Sequence, residues 1–343
     1  MAKALAIILV GLLILVVCCS SSNRLDIGKI RQVTDNLEVK DVEGHFKHFM
    51  QKFGKVYGTT EEYVHRLKVF QANLAHVMSL KKQDPTAIHG ITSFADLTPE
   101  ELSRFLGFRK AYSNRVVNQA PLLPTDNLPE AFDWREHGAV TPVKFQGRCG
   151  SCWTFSTTGV VEGANFLKTG KLISLSEEQL IDCDYKDNGC EGGDMLSAYE
   201  YVKARGLEAE EDYPYEELGY RHKPVRGPCR YQPSKVVATI ANYSRVSEDE
   251  DQIAANLVKN GPLSIALRGN VLFTYEGGVA CPRICPGEIN HGVLLVGYGV
   301  ENGLRYWTFK NTWTDEFGEN GYFRLCRGVG VCDMNSEVGT VST

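Results

Sequence analysis

The sequence predicts an α+β protein in which helices come first and strands follow. Residues 41–108 carry apolar side chains at intervals of three and four, which is typical of amphipathic helices. The same spacing returns after Cys152 and runs to Gly170, a residue type that commonly ends a helix. By contrast, residues 289–299 and 305–310 form apolar, β-rich runs, and the Asn-Gly pair between them predicts a tight turn.

The first 22 residues have the features of a secretory signal peptide. One positive charge, at Lys3, precedes fourteen apolar or glycine residues, and small residues follow from Cys18. Fourteen residues are fewer than the roughly 20 that a membrane-spanning helix needs, so a signal anchor is the less favoured alternative. Because no other run reaches spanning length, we expect no membrane segment in the mature protein.

The composition is that of a globular, exported protein. Apolar residues make up 43%, charged residues 23%, and the net charge is −5 at pH 7. Since the chain has no basic block, we expect it to bind neither nucleic acid nor a membrane surface. The length suggests about two domains of roughly 150 residues each.

Two helices are predicted within residues 41–108. The first is marked by apolar residues at helical spacing: Phe46, Phe49, Met50 and Phe53. The second opens with a capping box from Thr59 to Glu62. Along it, four residues at intervals of four, four and three fall near one face: Glu62, Arg66, Phe70 and Asn73. An ordinary amphipathic helix explains this face, so the spacing by itself indicates no function.

Residues 146–153, which read Q-G-R-C-G-S-C-W, contain the candidate nucleophile, Cys152. A thiol in the first turn of a helix lies at the positive end of the helix dipole, which favours the thiolate. For an isolated C-x-x-C motif, however, a structural disulfide or a zinc knuckle is equally well supported. The rest of the sequence has to decide between these interpretations.

His291 is the candidate base among eight histidines. A lone histidine in an apolar run is usually a tolerated strand residue. The next predicted strand, however, leads directly into Asn311-Thr312-Trp313. A thiol nucleophile needs a base and the base needs an orienting group, so this second motif makes His291 and Asn311 candidates for those roles. The resemblance described next decides between them and an ordinary strand histidine.

These motifs together resemble the papain-like cysteine proteases, close to the cathepsin L and cathepsin F types. The resemblance runs from about Asp41 to the C-terminus. It implies an α+β, papain-like fold with a helical lobe and a β-rich, barrel-like lobe that face each other across a cleft, preceded by a helical inhibitory pro-region. The implied activity is a cysteine endopeptidase that acts on proteins and peptides and requires no metal or organic cofactor.

The pro-region of that family is matched by two motifs. The helix residues from Glu62 to Asn73 are similar to its E-R-F-N series, and Gly90-x-Thr92-x-Phe94-x-Asp96 is similar to its second motif. Val77 and Lys81 fit neither subtype, so the choice between cathepsin L and cathepsin F remains open.

The resemblance implies a signal peptide at 1–22, a pro-region at 23–126 and a mature peptidase at 127–343. Within the pro-region, the inhibitory helical part spans about 41–108. The polar segment at about 109–126, with Pro121 and Pro124, is expected to be an exposed linker. In the family the pro-region runs through the cleft in the reverse direction to substrate, so we expect an inactive zymogen. Acidification should release it by protonating carboxylates, with Asp96 as one candidate.

The resemblance also implies the role of each catalytic residue. Cys152 is the nucleophile, His291 the acid and base, and Asn311 the acceptor that orients the imidazole. The Gln146 amide and the Cys152 backbone N–H are the donors to the oxyanion. Two alternatives stay open: a catalytically silent binding module, and a peptide ligase or exopeptidase.

Departures from the family pattern cluster after Asn311. Thr312, Thr314 and Phe317 stand where Ser, Gly and Trp are usual, and Phe145 stands where Asn is common. None of them removes a catalytic group, so they are expected to change subsite preference rather than activity. Thr314 would need a backbone angle that glycine adopts easily.

The chain has eleven cysteines, and eight remain after Cys152 and the two in the signal peptide are set aside. An even number fits disulfide formation on the secretory route. The resemblance implies three pairs: Cys149 with Cys190, Cys183 with Cys229, and Cys285 with Cys332. We propose that the remaining Cys281 and Cys326 form an additional bridge. The spacings lack a paired C-x-x-C repeat, which disfavours zinc.

By resemblance, one pocket binds the second substrate residue upstream of the scissile bond. Its expected walls are Met195, Ala266, Ile289 and Gly292, with Gly192 and Gly193 offering backbone to the substrate and Trp313 beside the catalytic histidine. Glu337 is expected at the pocket floor, where its carboxylate would accept an Arg side chain in addition to apolar ones. The sequence therefore predicts a dual preference, whose Arg component weakens as pH falls through the Glu pKa.

Three further expectations concern the protein's surroundings. Asn242 begins the N-x-S sequon Asn242-Tyr243-Ser244 and is the expected glycosylation site. The expected destination is the secretory pathway, ending in a lysosome, another acidic vesicle or the exterior. The expected partners are substrates, the chain's own pro-region and cystatin-type protein inhibitors, and we expect a monomer.

Overall fold

The computed structural model describes residues 41–110, 117–216 and 226–343. Residues 48–343 form one compact unit. Of the unit that ends at Lys47, residues 41–47 are described, and they begin the first helix. The expected signal peptide lies outside the described residues. Within the described ranges, no helix is both long and apolar enough to cross a membrane.

The described α-helices are α1 (Val42–Lys52), α2 (Thr60–Gln83), α3 (Pro99–Leu102), α4 (Cys152–Thr169), α5 (Glu177–Cys183), α6 (Met195–Arg205) and α7 (Glu250–Asn260). The described strands are β1 (Ala87–His89), β2 (Phe132–Asp133), β3 (Leu207–Glu208), β4 (Val236–Ala238), β5 (Asn242–Arg245), β6 (Leu263–Leu267), β7 (Tyr275–Ala280), β8 (His291–Glu301), β9 (Leu304–Lys310), β10 (Tyr322–Cys326) and β11 (Glu337–Ser342).

Most of these strands join one sheet in the order β1-β7-β10-β9-β8-β6-β11-β5, with β2 paired to β8 off this path. Strands β3 and β4 form a separate pair. Strand β10 runs parallel to β7, and β8 runs antiparallel to both β6 and β9. Long helices thus come early and long strands late, which confirms the α+β class.

Local sequence explains where the helices begin and end. The side chain of Thr59 accepts a hydrogen bond from the backbone N–H of Glu62 at 3.1 Å, which starts α2 as predicted. The Glu62 carboxylate, however, accepts from the N–H of Gly58 at 2.9 Å, so the reciprocal half of the capping box falls one residue earlier. Helix α4 ends as predicted, with Gly170 in the left-handed region at φ 72°.

The helical and β-rich parts have separate cores. Trp153, Val161, Leu180 and Tyr199 belong to a hydrophobic cluster built largely from α4–α6, whereas the sheet and α7 surround a second cluster. Helix α4 lies close to β8 because Gly159 has no side chain. A Cβ there would lie 2.7 Å from Leu294. This close approach sets the start of α4 against the start of β8.

The pro-region residues attach to the sheet through β1, which pairs antiparallel with β7. Side chains on the predicted face of α2 bind residues 95–101. Arg66 donates to both carboxylate oxygens of Glu101 at 2.5 and 2.7 Å, and Asn73 donates to the carbonyls of Ala95 and Leu97 at 2.9 and 3.0 Å. Asp96 accepts from Lys55 at 3.0 Å and from Tyr57 at 2.9 Å. The face that indicated no function by itself therefore fixes residues 95–101.

The structure has disulfides between the four cysteine pairs expected from the sequence: Cys149–Cys190, Cys183–Cys229, Cys281–Cys326 and Cys285–Cys332. Among the described residues, Cys152 is the free cysteine, and it is buried.

Candidate active site

The four expected catalytic residues come from different elements. Cys152 is the first residue of α4, His291 is the first residue of β8, and Asn311 directly follows β9. The β8–β9 turn sets the spacing of the last two, with Asn302 at φ 51° and Gly303 at φ 80°, as in a type I′ turn. The backbone N–H of Gln146 donates to the carbonyl of Thr312 at 3.0 Å, which fixes the fourth residue beside them.

The His291 ring is held on two sides. Its Nε2–H donates to Asn311 Oδ1 at 2.8 Å, and its face stacks on Trp313 with the ring centroids 4.8 Å apart. Nδ1 is buried and makes no hydrogen bond within the described residues. The ring is therefore oriented through one nitrogen, and the other is left for proton exchange.

The side chain of Gln146 is also fixed. Its Oε1 accepts a hydrogen bond from the Thr312 hydroxyl, while Nε2 donates to the carbonyls of Cys149 at 2.7 Å and Phe105 at 3.2 Å. The Gln146 amide, which is expected to stabilise an oxyanion, thus already donates a hydrogen bond to a carbonyl oxygen of the pro-region. Thr312, a departure from the family's usual Ser, keeps a hydroxyl that orients this amide.

The pro-region segment 105–109 covers the thiol directly. The Gly107 N–H points to Cys152 Sγ at 3.2 Å, and the Gly292 N–H points to it at 3.3 Å. Gly193 binds the segment on both sides, since its N–H donates to Gly107 O and its carbonyl accepts from Arg109 N–H, each at 2.9 Å. A Cβ at Gly107 would lie 1.8 Å from Gly150 O, so this contact requires glycine.

Burial under this segment keeps both reacting groups neutral. Loss of water raises the pKa of Cys152 to about 11, although backbone N–H groups oppose the shift. Burial likewise lowers the pKa of His291 to about 4, against the stabilising hydrogen bond to Asn311. The thiolate expected at the start of a helix is therefore not favoured in this covered state, because desolvation outweighs the helix terminus.

The expected pocket residues lie together around a pro-region side chain. Phe108 is 5% exposed and belongs to the hydrophobic cluster that contains Met195 and Ala266, with Ile289 packed against it. Gly192 and Gly193 follow a short 3₁₀ turn at residues 189–191, and Gly193 pairs through its backbone with Phe108. Glu337 lies opposite Ala266, and its carboxylate contacts Arg245 and Lys110. The sequence reasoning anticipated neither of these cationic partners.

Tyr215 is a further residue whose role the sequence did not indicate. Its hydroxyl donates to the Gln146 carbonyl at 2.7 Å and lies 2.9 Å from Ser151 Oγ. It thereby links the loop that carries the oxyanion donor to the residue before the nucleophile. No local sequence pattern marks this tyrosine, which ends the short run Tyr213-Pro214-Tyr215.

The other three departures from the family pattern, at Thr314, Phe317 and Phe145, lie close to Trp313 in the sequence or in the structure. Thr314 adopts φ 70°, the left-handed angle that a glycine would take at lower cost. Phe317 packs edge-to-face on Trp313 at 5.1 Å and so keeps the aromatic wall. Phe145 is 36% exposed and pairs through its backbone with Trp313. In the described ranges, no group of three or more His, Cys, Asp or Glu is arranged to hold a metal ion.

Comparison with known proteins places this geometry in a family. Residues 128–341 match the papain family cysteine protease model, and residues 46–102 match the cathepsin propeptide inhibitor domain (I29). The digestive procathepsin L2 proteinase of Tenebrio molitor larval midgut has a similar structure, with a TM-score of 0.80 and 31% identity over 88% of this chain and 100% of that one. Procathepsin L 3 from the same source has a TM-score of 0.76 and 33% identity, over 88% and 99%.

Similarity to curated plant proteins extends along most of the chain. A "Probable cysteine protease RD19B" of Arabidopsis thaliana is 51% identical, over 91% of each chain. Cysteine proteinase 15A of Pisum sativum is 49% identical, over 91% of this chain and 90% of that one. With its propeptide inhibitor domain and its covered cysteine, this chain belongs to the papain family of cysteine proteases and is described here in its zymogen form.

Proposed function

We propose that the processed protein is a cysteine endopeptidase that works through a thioester acyl-enzyme. The Cys152 thiolate attacks the peptide carbonyl carbon, and the Gln146 amide and the Cys152 backbone N–H stabilise the oxyanion. Protonated His291 gives its proton to the leaving amine as the C–N bond breaks. Water then attacks the thioester while His291 takes a proton, which releases the acid and restores the Cys152 thiolate and the protonated His291.

The observation that carries this proposal is the position of the pro-region backbone. The Phe105 carbonyl accepts a hydrogen bond from the Gln146 amide, and two residues later the Gly107 N–H points to the Cys152 thiol. A backbone carbonyl therefore reaches the oxyanion donor beside the nucleophile without steric conflict, as a substrate carbonyl must. The Asn311–His291 pair supplies an oriented base at the same place.

The experiment that tests the reaction is a trapping measurement. The processed enzyme is mixed with an activated ester substrate at acidic pH, quenched with acid and analysed as an intact mass. We expect an acyl adduct on Cys152, formed in a burst before steady turnover. Turnover without any adduct on Cys152 would contradict the thioester route.

We further propose that acid removes the pro-region. Hydrogen bonds from Arg66 lower the pKa of Glu101 to about 2 from its ordinary value of 4.5. A carboxylate whose pKa is lowered stabilises the folded pro-region above pH 4.5, and this contribution is lost as pH falls toward 2. Glu101 thus helps to keep the pro-region folded, and Asp96 accepts hydrogen bonds from Lys55 and Tyr57 within the same region. Loss of this internal structure would release the pro-region from the peptidase.

The proposed organisation is a signal peptide at 1–22, a pro-region at 23–126 and a mature peptidase at 127–343. The linker at 109–126 is described only in part, and there it is partly anchored, since Arg245 exchanges backbone hydrogen bonds with Asn118 and Ala120 at 2.9 and 2.8 Å. Sequencing the N-terminus of the mature enzyme tests these boundaries. A first residue far from 127 would overturn them.

The proposed compartment is an acidic vesicle on the secretory route, because buried carboxylates in the helical part make the folded protein more stable at low pH. Burial, and then the neighbouring Asp182, raise the pKa of Glu178 to about 8. Burial also raises the pKa values of Asp187 and Glu210. A raised carboxylate pKa stabilises the fold below the ordinary pKa and loses that contribution as pH rises toward the folded-state value.

We therefore expect the folded protein to lose stability between pH 5 and pH 8. Each such group contributes a slope of at most about 1.4 kcal/mol per pH unit. The measurement is thermal unfolding against pH in a Cys152→Ala background, which avoids self-digestion. Glu178→Gln should flatten the decline, whereas Glu136→Gln, at an exposed position, should not. A melting temperature that rises from pH 5 to pH 8 would contradict the argument.

Proposals about partners follow from the same site. Cystatin-type inhibitors should bind the processed enzyme and not the zymogen, because segment 105–109 occupies the cleft in the zymogen. We propose a monomer, which light scattering of the processed enzyme would check.

Asn242 is exposed at the start of β5, so we also propose that it is glycosylated. An unchanged gel mobility after glycosidase treatment of native-source protein would count against this.

A further inference from the structure

The register of strands β8, β6 and β11 determines which residues form the floor of the substrate pocket. Gly292 on β8 lies opposite Ala266 on β6, and Ala266 lies opposite Glu337 on β11. These three residues therefore form one row across adjacent strands. A Cβ at Gly292 would lie 3.2 Å from the sulfur of Met195, which places Met195 over one end of the row. Glu337 is at the other end.

Phe108 shows which part of this pocket accepts an apolar group. Its side chain is buried in the cluster with Met195 and Ala266, and its backbone N–H donates to Asn290 O at 2.9 Å. The pro-region thus places an aromatic ring in the pocket. Two residues later, Lys110 contacts Glu337, but the Lys110 side chain is 60% exposed, so this cation lies at the solvent rim.

Glu337 also has a cationic partner that does not belong to the pro-region. Arg245 Nη2 lies 2.8 Å from Glu337 Oε2, and the two side chains are 24% and 7% exposed. On the paired strands β5 and β11, Arg245 lies opposite Gly339, two residues from Glu337. Residues two apart on a strand share a face, so the register itself brings the guanidinium to the carboxylate.

Removal of the pro-region takes away Lys110 and leaves Arg245 in place. Glu337 then remains paired, and the pocket floor has no net charge from these two residues. A substrate guanidinium entering the pocket would have to displace Arg245 or add a second positive charge beside it. Either event costs free energy because the site is largely closed to water.

We propose that Arg245 is a specificity-determining residue of the processed enzyme. By neutralising Glu337 it makes the pocket select aromatic and aliphatic side chains over Arg and Lys. The dual preference expected from Glu337 alone is revised accordingly. The proposal rests on the proposed peptidase function and concerns only which side chain occupies this pocket.

The test compares two dipeptide substrates, Phe-Arg and Arg-Arg, each joined to the same fluorescent leaving group. They differ only in the residue that enters the pocket. The processed parent enzyme should favour Phe-Arg in kcat/KM by at least about tenfold. Arg245→Met keeps the apolar stem of the side chain and removes the charge. It should lower the Phe-Arg to Arg-Arg ratio by about tenfold or more, the size expected of a partly desolvated charge pair, mainly through faster cleavage of Arg-Arg.

Two controls make the outcome specific. Arg324→Met removes an arginine of the same sheet that pairs with Glu301 and Glu319, and it should leave the ratio unchanged. Adding Glu337→Ala to Arg245→Met should abolish the gain on Arg-Arg, because the freed carboxylate causes it. Arg245→Ala is the second variant if Arg245→Met does not fold.

Either of two results would overturn the proposal. One is a parent enzyme that already cleaves Arg-Arg as fast as Phe-Arg, which requires no variant to observe. The other is a ratio that Arg245→Met or Arg245→Ala leaves unchanged. Active-site titration of Cys152 and activity on Phe-Arg are measured first. Their failure would refute the peptidase function, which keeps it distinct from failure of the specificity claim.

Discussion

Replacing Cys152 by alanine is expected to abolish peptide hydrolysis and, with it, self-processing of the zymogen. Among the described residues the thiol is the free cysteine and begins α4, and the N–H of Gly292, the residue after the oriented His291, points to its sulfur. Loss of a nucleophile typically costs on the order of 10⁶-fold in kcat, as known for serine proteases. The comparison is between the kcat of the processed parent enzyme and that of processed Cys152→Ala, whose pro-region is removed by an added serine protease that is then inhibited.

His291→Ala should be nearly as inactive, and the double variant no worse than either single one, because the two groups act as a unit. Thermal unfolding of each variant checks that the fold survives. Cys152→Ala zymogen held alone at acidic pH should stay full length. If it matures as fast as the parent chain, another group performs the cleavage and the assignment of Cys152 is wrong.

Gly107→Ala is expected to expose the active site of the unprocessed zymogen. An added Cβ would overlap Gly150 O, so the segment must move away and lose the contacts of Gly107 with Cys152 and Gly193. Losing about 3 kcal/mol of docking free energy would raise the accessible fraction roughly 100-fold. The measurement is the rate at which a peptidyl epoxide labels Cys152 in the full-length chain at neutral pH.

Gly58→Ala is the matched control, because the nearest atom to an added Cβ there is 3.8 Å away on the flexible Glu62 side chain. This variant should label as slowly as the parent. Equal, slow labelling of Gly107→Ala would mean that the segment does not seal the thiol through this contact.

Much of the scaffold was predictable because it depends on local residue types. The start of α2 at Thr59, the end of α4 at Gly170 and the turn at Asn302-Gly303 each follow from a side chain or a backbone angle that a short stretch of sequence specifies. The catalytic positions were expected from the resemblance to the papain-like proteases, and local sequence contributed only the placement of Asn311 directly after a recognisable strand.

Other features depend on long-range register and were not predictable. Glu337 was expected at the pocket floor, but Arg245 reaches it only because β5 pairs with β11, and nothing near Arg245 in the sequence indicates that pairing. Gly107 could have been suspected from its place between Phe105 and Phe108, yet its contact with Gly150 joins distant parts of the chain. The neutral state of Cys152 likewise comes from burial that a helix pattern does not reveal.

The most direct test of the central claim, a nucleophilic Cys152 sealed by residues 105–109, is labelling with a peptidyl epoxide followed by peptide mapping. Full-length and processed protein are treated in parallel at the same pH. We expect one adduct in the processed enzyme, on Cys152, with activity lost in proportion to labelling, and far slower labelling of Cys152 in the full-length chain. Full activity after complete alkylation of Cys152, or equal labelling of both forms, would contradict the account.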